Sequence, residues 1–147
     1  MRLAVEQCQS LAATARVGHL GTASAAGLPH IVPVTFVVAG QHVFVGIDEK
    51  PKSSTDLKRL RNLRENPRAA LLWDRYNEDW SKLWWVRADG VAEVLEDGIA
   101  WADAWAALND KYPQYSRRAH EGPVISVTVG RWTGWAFNAP KQHGYGR

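Results

Sequence analysis

Between Lys50 and Arg68 the chain carries seven basic side chains, Lys50, Lys52, Lys58, Arg59, Arg61, Arg64 and Arg68, against two acids, Asp56 and Glu65. A local surplus of this kind suits a polyanionic ligand, and equally describes a solvated helix face. The order of residue types narrows the choice. Lys50 and Lys52 stand in a polar stretch, Ser53, Ser54 and Thr55 follow, and Leu57, Leu60 and Leu63 then form one apolar stripe at helical spacing. A helix beginning at these hydroxyls would present unpaired N–H groups and the positive end of its dipole, with ammonium and hydroxyl donors beside them. That is phosphate-binding chemistry. The competing account is an ordinary capped helix with exposed lysines. The glycine spacing of a P-loop or a Rossmann turn is missing, so nucleotide binding by those folds has no support.

Other chemistry is harder to find. His19, His30, His42, His120 and His143 show no metal-ligand spacing, and the single cysteine, Cys8, excludes both an internal disulfide and a cysteine-based metal cage. No Gly-x-Ser-x-Gly occurs. No metal site is expected and no residue is assigned as catalytic. A chain without a visible acid–base or metal constellation either binds something or takes its chemistry from a cofactor.

The elements that would position the basic segment follow from periodicity. Residues 2–15 read as an amphipathic helix, with Leu3, Cys8, Leu11, Ala12 and Ala15 on one side. Residues 17–24 read as a strand. Residues 28–38, rich in β-branched side chains, form the strongest strand, and Pro33 inside it implies an edge or a bulge. Residues 42–47 return as its hairpin partner. The Leu57–Leu60–Leu63 helix stops at Asn66-Pro67. Strands are expected over 68–73 and over 82–95, the second interrupted near Asp89-Gly90. A helix over 99–109, an irregular stretch over 112–121, a strand over 123–129 and another over 130–137 complete the order. Strands joined by hairpins, without βαβ alternation, favour an antiparallel barrel.

At 147 residues the chain fits one domain, residues 1–147, and no run of about 18 apolar residues could span a membrane. The first residues lack the continuous apolar stretch of a signal peptide, so a cytoplasmic protein is expected, with Cys8 a small buried residue. Eight tryptophans, high for this length, belong in a core, at a flat-ligand site or along a subunit seam. Small barrels with aromatic and basic faces bind single-stranded nucleic acid, but the 50–68 segment contains no aromatic residue, so no nucleic-acid partner is expected.

Three stretches carry a family resemblance. They are Gly27-Leu28-Pro29-His30-Ile31-Val32-Pro33-Val34-Thr35-Phe36-Val37, then residues 43–48, then Lys52 through Leu63-Arg64-Glu65-Asn66-Pro67-Arg68-Ala69-Ala70-Leu71. Over residues 11–137 the chain resembles the pyridoxamine-5′-phosphate-oxidase-like split-barrel superfamily, in particular its actinobacterial branch of deazaflavin-dependent oxidoreductases. The resemblance implies a mainly β fold with helices, an antiparallel split β-barrel of the FMN-binding type. It also implies a homodimer with the cofactor in a groove at the subunit interface and a small-molecule substrate.

By the same resemblance, Pro33, Val34 and Thr35 would lie along the ring system. Ile47, Asp48, Glu49, Lys50, Lys52, Ser53, Ser54 and Thr55 would receive the ribityl phosphate. The loop with Asn77 and Trp80 would close over the cofactor. Coenzyme F420, an 8-hydroxy-5-deazaflavin with a phosphodiester and a γ-linked glutamate tail, would be complemented by Lys50, Lys52, Lys58 and Arg61. The implied activity is an F420H2-dependent reductase that passes a hydride to a small organic acceptor. The alternatives are an FMN-dependent pyridoxamine-phosphate-oxidase-like enzyme and a cofactor-binding protein without turnover. Two departures count against pyridoxamine oxidation: residues 31–38 hold no basic side chain, and the tail Lys141-Gln142-His143-Gly144-Tyr145-Gly146-Arg147 does not resemble the arginine-containing end of the FMN oxidases.

Overall fold

Apolar and polar residues alternate through most of the chain after residue 17. The computed structural model, which describes residues 1–47, 57–117 and 122–138, resolves this alternation into seven strands and three α-helices. In chain order these are α1 (Val5–Thr14), β1 (Gly18–Ala23), β2 (Pro29–Val34), β3 (Phe36–Ala39), β4 (His42–Gly46), α2 (Lys58–Glu65), β5 (Arg68–Arg75), β6 (Trp84–Leu95), α3 (Gly98–Lys111) and β7 (Val124–Ala136). Short 3-10 turns occupy Trp80–Lys82 and Pro113–Arg117. All strand pairs are antiparallel, and the strands form one sheet in the order β2-β1-β5-β6-β7-β4-β3.

The run 28–38, expected as one strand, is two. β2 ends at Val34 and β3 begins at Phe36, yet these strands stand at opposite ends of the order. Two strands linked by the single residue Thr35 can do this only if the sheet curls until its edges meet, so the sheet is a barrel split at Thr35. Pro33 sits where its missing N–H costs least, on a strand that pairs with β1 alone among the described residues. At the other end of the chain, the two strands expected over 123–137 are one. The irregularity falls opposite Asp89 and Gly90, where the register skips Gly130 as a bulge. A side chain at Gly90 would put its Cβ 2.2 Å from the Thr128 carbonyl oxygen, so only glycine fits.

The helix expected after the hydroxyl run is present as α2. Its expected N-caps Ser53, Ser54 and Thr55 lie outside the described residues, and Leu57 precedes the first described turn. Asn66 ends α2, its N–H bonded to the Asn62 carbonyl at 2.7 Å, before Pro67.

Two apolar layers hold these elements. Inside the barrel, Leu20, Phe36, Val43, Val45, Leu71, Trp73, Val86 and Ala88 are fully buried. The interior is closed by Leu3, Cys8 and Ala12 of the N-terminal segment and by Leu60 and Leu63 of α2. Asn62 of α2, also buried, donates to Thr22 Oγ1 at 3.1 Å. Outside the barrel, Trp105 and Leu108 of α3 pack with Val124, Phe44 and Val37. α3 therefore covers the outer face of β3, β4 and the first half of β7. The outer face of β2, β1, β5, β6 and the second half of β7 carries no helix. No helix among the described residues is long and apolar enough to cross a membrane.

Candidate functional site

Register places the outward side chains of the uncovered face in rows. One row runs Pro33, His19, Leu72, Arg87, Thr133 across β2, β1, β5, β6 and β7. The next runs Ile31, Gly21, Ala70, Asp89, Arg131, and above the first stand Asp74, Trp85 and Trp135. The face is mixed: Ile31 and Leu72 are exposed apolar residues, and Arg87 bonds to Asp89 through its Nε at 3.0 Å. Gly21 and Ala70, side by side, leave a flat floor there. Pro33 is exposed on this face, whereas the Val34 side chain enters the barrel core. Beyond Pro33, β2 has no further strand beside it among the described residues, so backbone N–H and C=O groups on that edge are open to a ligand.

The split itself is braced by the end of α3 and the turn after it. Thr35 Oγ1 is hydrogen-bonded to Tyr115 Oη. The Phe36 N–H donates to Tyr112 Oη at 3.2 Å, and that hydroxyl donates to the Arg16 carbonyl at 3.0 Å. The Arg16 guanidinium lies 4.7 Å from the Tyr112 ring centroid and donates to the Lys111 carbonyl at 2.9 Å. Lys111 Nζ stands 3.6 Å from the centroid of the Phe36 ring. Burial, with a smaller contribution from the nearby Arg16 charge, lowers the Lys111 ammonium to about 8. Burial also raises Tyr112 above its ordinary value. Pro33–Thr35 is thus a rigid edge, and the Thr35 hydroxyl is committed to Tyr115.

The other expected site residues divide between the two ends of the sheet. Asn77 and Trp80 lie in the loop from β5 to β6. The Asn77 side-chain oxygen accepts from the Asp79 N–H at 2.8 Å, and Asp79 accepts from the Ser81 hydroxyl at 2.6 Å and the Ser81 N–H at 3.1 Å. These bonds from Ser81, side chain first, lower the Asp79 carboxyl. The indole of Trp80 is left exposed on the loop. This loop is at the end of the sheet where β2 finishes, since Val34 pairs with Gly18 and His19 with Leu72, three residues before β5 ends at Arg75.

Lys58 and Arg61 project from the exposed side of α2, which precedes β5 and so lies at its other end. Ile47 is buried at that far end of β7, its N–H on the Pro123 carbonyl at 3.3 Å. Asp48, Glu49, Lys50, Lys52, Ser53, Ser54 and Thr55 lie outside the described residues.

Sequence reasoning missed His19, Arg87 and Thr133. Alternation marks Arg87 as outward on its strand, but only the pairing of β6 with β5, and of β5 with β1, puts it in one row with Pro33. No group of three or more His, Cys, Asp or Glu able to hold a metal occurs among the described residues. The arrangement offers a flat, partly apolar face beside an open strand edge, with basic helices and loops at its border. It can bind and orient a planar, anionic group, and any redox chemistry would come from that group.

Comparison with known proteins agrees with this architecture. The sequence model of the family described as pyridoxamine 5′-phosphate oxidase matches residues 4–136. No curated protein matches the sequence. A conserved hypothetical protein from Mycobacterium tuberculosis superposes with a TM-score of 0.75 at 18% identity, covering 98% of this chain and 93% of that one. An FAD-binding protein from Mesorhizobium loti gives a TM-score of 0.69 at 20% identity, over 91% and 95% of the two chains. A heme storage protein from Vibrio cholerae gives 0.68 at 16% identity, over 90% and 91%. At these identities the likeness is one of fold, whereas the family match spans nearly the whole barrel. From the split at Thr35 to the closing strand β7, this chain belongs to the pyridoxamine 5′-phosphate oxidase family.

Proposed function

We propose that the protein binds coenzyme F420 and acts as an F420H2-dependent reductase of a small organic acceptor. The observation that carries this reading is the basic surplus from Lys50 to Arg68 beside a family fold whose own β2 has no basic side chain. A ligand held mainly at its phosphate and tail, with its ring read by backbone, fits that distribution of charge better than a compact flavin held along β2. The open edge of β2 and the flat floor at Gly21 and Ala70 suit a tricyclic ring. Lys50, Lys52, Ser53, Ser54 and Thr55 would hold the phosphate, and Lys58 and Arg61 the glutamate tail. Bound, the deazaflavin would supply the hydride. The chain's own part is to bind, to orient and to keep Pro33–Thr35 in place through Tyr112 and Tyr115.

The same reading includes a homodimer. The Trp80 loop follows β5 and α2 precedes it, so about 23 Å of strand separates their attachment points at about 3.3 Å per residue. One cofactor touched by both draws them more readily from two copies than from one. An interface on the uncovered face would also bury Ile31, Leu72 and Trp135, which are exposed in the single chain.

The test is a fluorescence titration of purified protein with F420, with FMN and with heme, alongside Lys52→Ala. Micromolar or tighter F420 binding that the variant weakens, with FMN and heme at least tenfold weaker, is the expected result. Preference for FMN would move the protein to the flavin alternative, and preference for heme to a heme-binding role. F420 binding without reduction of any acceptor would leave a carrier.

A further inference from the structure

Arg87 occupies the middle of the uncovered face, on the strand at the centre of the sheet order. Its single hydrogen bond is from Nε to Asp89 Oδ2, 3.0 Å away, so both terminal nitrogens are unpaired. A guanidinium that serves only an ion pair meets its carboxylate with two parallel bonds. One bond through Nε instead fixes the orientation of the group and leaves the outer fork for another acceptor.

The surroundings point the same way. Directly opposite on β7, Thr133 Oγ1 is shielded from solvent and has no partner, an unmet donor beside the fork. Trp85 and Trp135 pair one row above, and Leu72 stands beside Arg87 on β5. Counting Arg87 and Arg131 against Asp89, the block carries one net positive charge, which suits a monoanion.

We propose that Arg87, oriented by Asp89, anchors a planar organic carboxylate on this face. The carboxylate sits on the guanidinium fork and the Thr133 hydroxyl, and the conjugated or aromatic body lies against Leu72 and Trp85. Arg87 shares its row with Pro33, three strands away, or about 14 Å at about 4.8 Å per strand. An acid of this class therefore lies on the same surface as the proposed cofactor edge. Its identification as the hydride acceptor rests on the F420 reading; its binding does not.

The experiment titrates wild-type protein, Arg87→Gln and Arg87→Lys with benzoate and with benzamide at low salt, following tryptophan quenching and ligand NMR line broadening. Thermal unfolding confirms that each variant is folded, light scattering gives its mass, and the wild type is titrated with F420 in parallel. The expected result is at least a tenfold preference of the wild type for benzoate, abolished in Arg87→Gln and partly kept in Arg87→Lys. Equal binding of the two probes, or an undiminished preference in Arg87→Gln, overturns the proposal. So does a halved mass in Arg87→Gln, which would make the fork a contact between copies. F420 failure with an intact benzoate preference sinks the cofactor reading alone.

Discussion

Lys111 holds its ammonium 3.6 Å from the centroid of the buried Phe36 ring, with no hydrogen-bond acceptor. A cation over an aromatic face gains about 2 kcal/mol at most in a desolvated site, while taking an unpaired ammonium out of water costs several. Desolvation wins, and the group titrates near 8.

The sign of the pH dependence follows. Between about 8 and the ordinary value of 10.5 the unfolded chain holds a proton that the folded chain has released. The resulting stability is fully present above 10.5 and is lost as pH falls through about 8. Cys8 and Tyr112, both raised by burial, act in the opposite sense above their ordinary values of 9.0 and 10.0. The Lys111 contribution is therefore isolated between pH 8 and 9. Urea unfolding at pH 7, 8 and 9 should show the wild type gaining stability relative to Lys111→Met, and the variant should be the more stable at pH 7. A constant difference across that range would contradict the assignment.

Tyr112→Phe removes the acceptor of the Phe36 N–H and the donor to the Arg16 carbonyl in one step. A buried donor left unpaired costs about 1–3 kcal/mol, and hydrogen exchange of the Phe36 amide should accelerate well beyond that of the barrel core. Unchanged protection at Phe36 would mean that another group satisfies it.

Gly90→Ala drives a Cβ onto the Thr128 carbonyl, a backbone atom that cannot swing away. The expected loss is about 2 kcal/mol or more, read as a lower denaturation midpoint. Gly130→Ala on the partner strand, whose Cβ would be 3.8 Å from the Asp89 carbonyl oxygen, should cost far less. Equal effects would place the cost in glycine's flexibility and not in the clash.

If the phosphate and tail of F420 bind the basic segment, Lys52→Ala should raise the dissociation constant about tenfold, about 1.4 kcal/mol. Lys58→Ala and Arg61→Ala should each do less, because tail carboxylates at the surface are screened. Raising salt from 50 to 500 mM should weaken the wild type more than Lys52→Ala. Salt-independent binding would remove the polyanion argument.

The fold was largely legible in the sequence because alternation, turn residues and the proline at Pro33 each report locally. The Asp89-Gly90 irregularity was visible for the same reason. The break at Thr35 was not, since nothing in Val34-Thr35-Phe36 differs in type from a continuous strand; the break arises from the closure of the sheet. The site was legible where it is contiguous, as in the basic run and at Pro33. His19, Arg87 and Thr133 come from three distant strands, and only pairing brings them into one row. Lys111 was invisible for a related reason: its neighbours Arg16 and Phe36 are 95 and 75 positions away in the numbering.

The strand order also dictates when the barrel can exist. The β3–β4 hairpin has no sheet neighbour except β7, and β7 is the last strand made. Until residues 124–136 have emerged, the hairpin and the β2-β1-β5-β6 sheet are two separate pieces, tethered at Thr35 and each with a bare edge. Insertion of β7 then joins both at once, with β6 on one side and β4 on the other. Barrel formation therefore waits for the end of synthesis, and a chain truncated within β7 is left as an open sheet prone to pairing with its own kind.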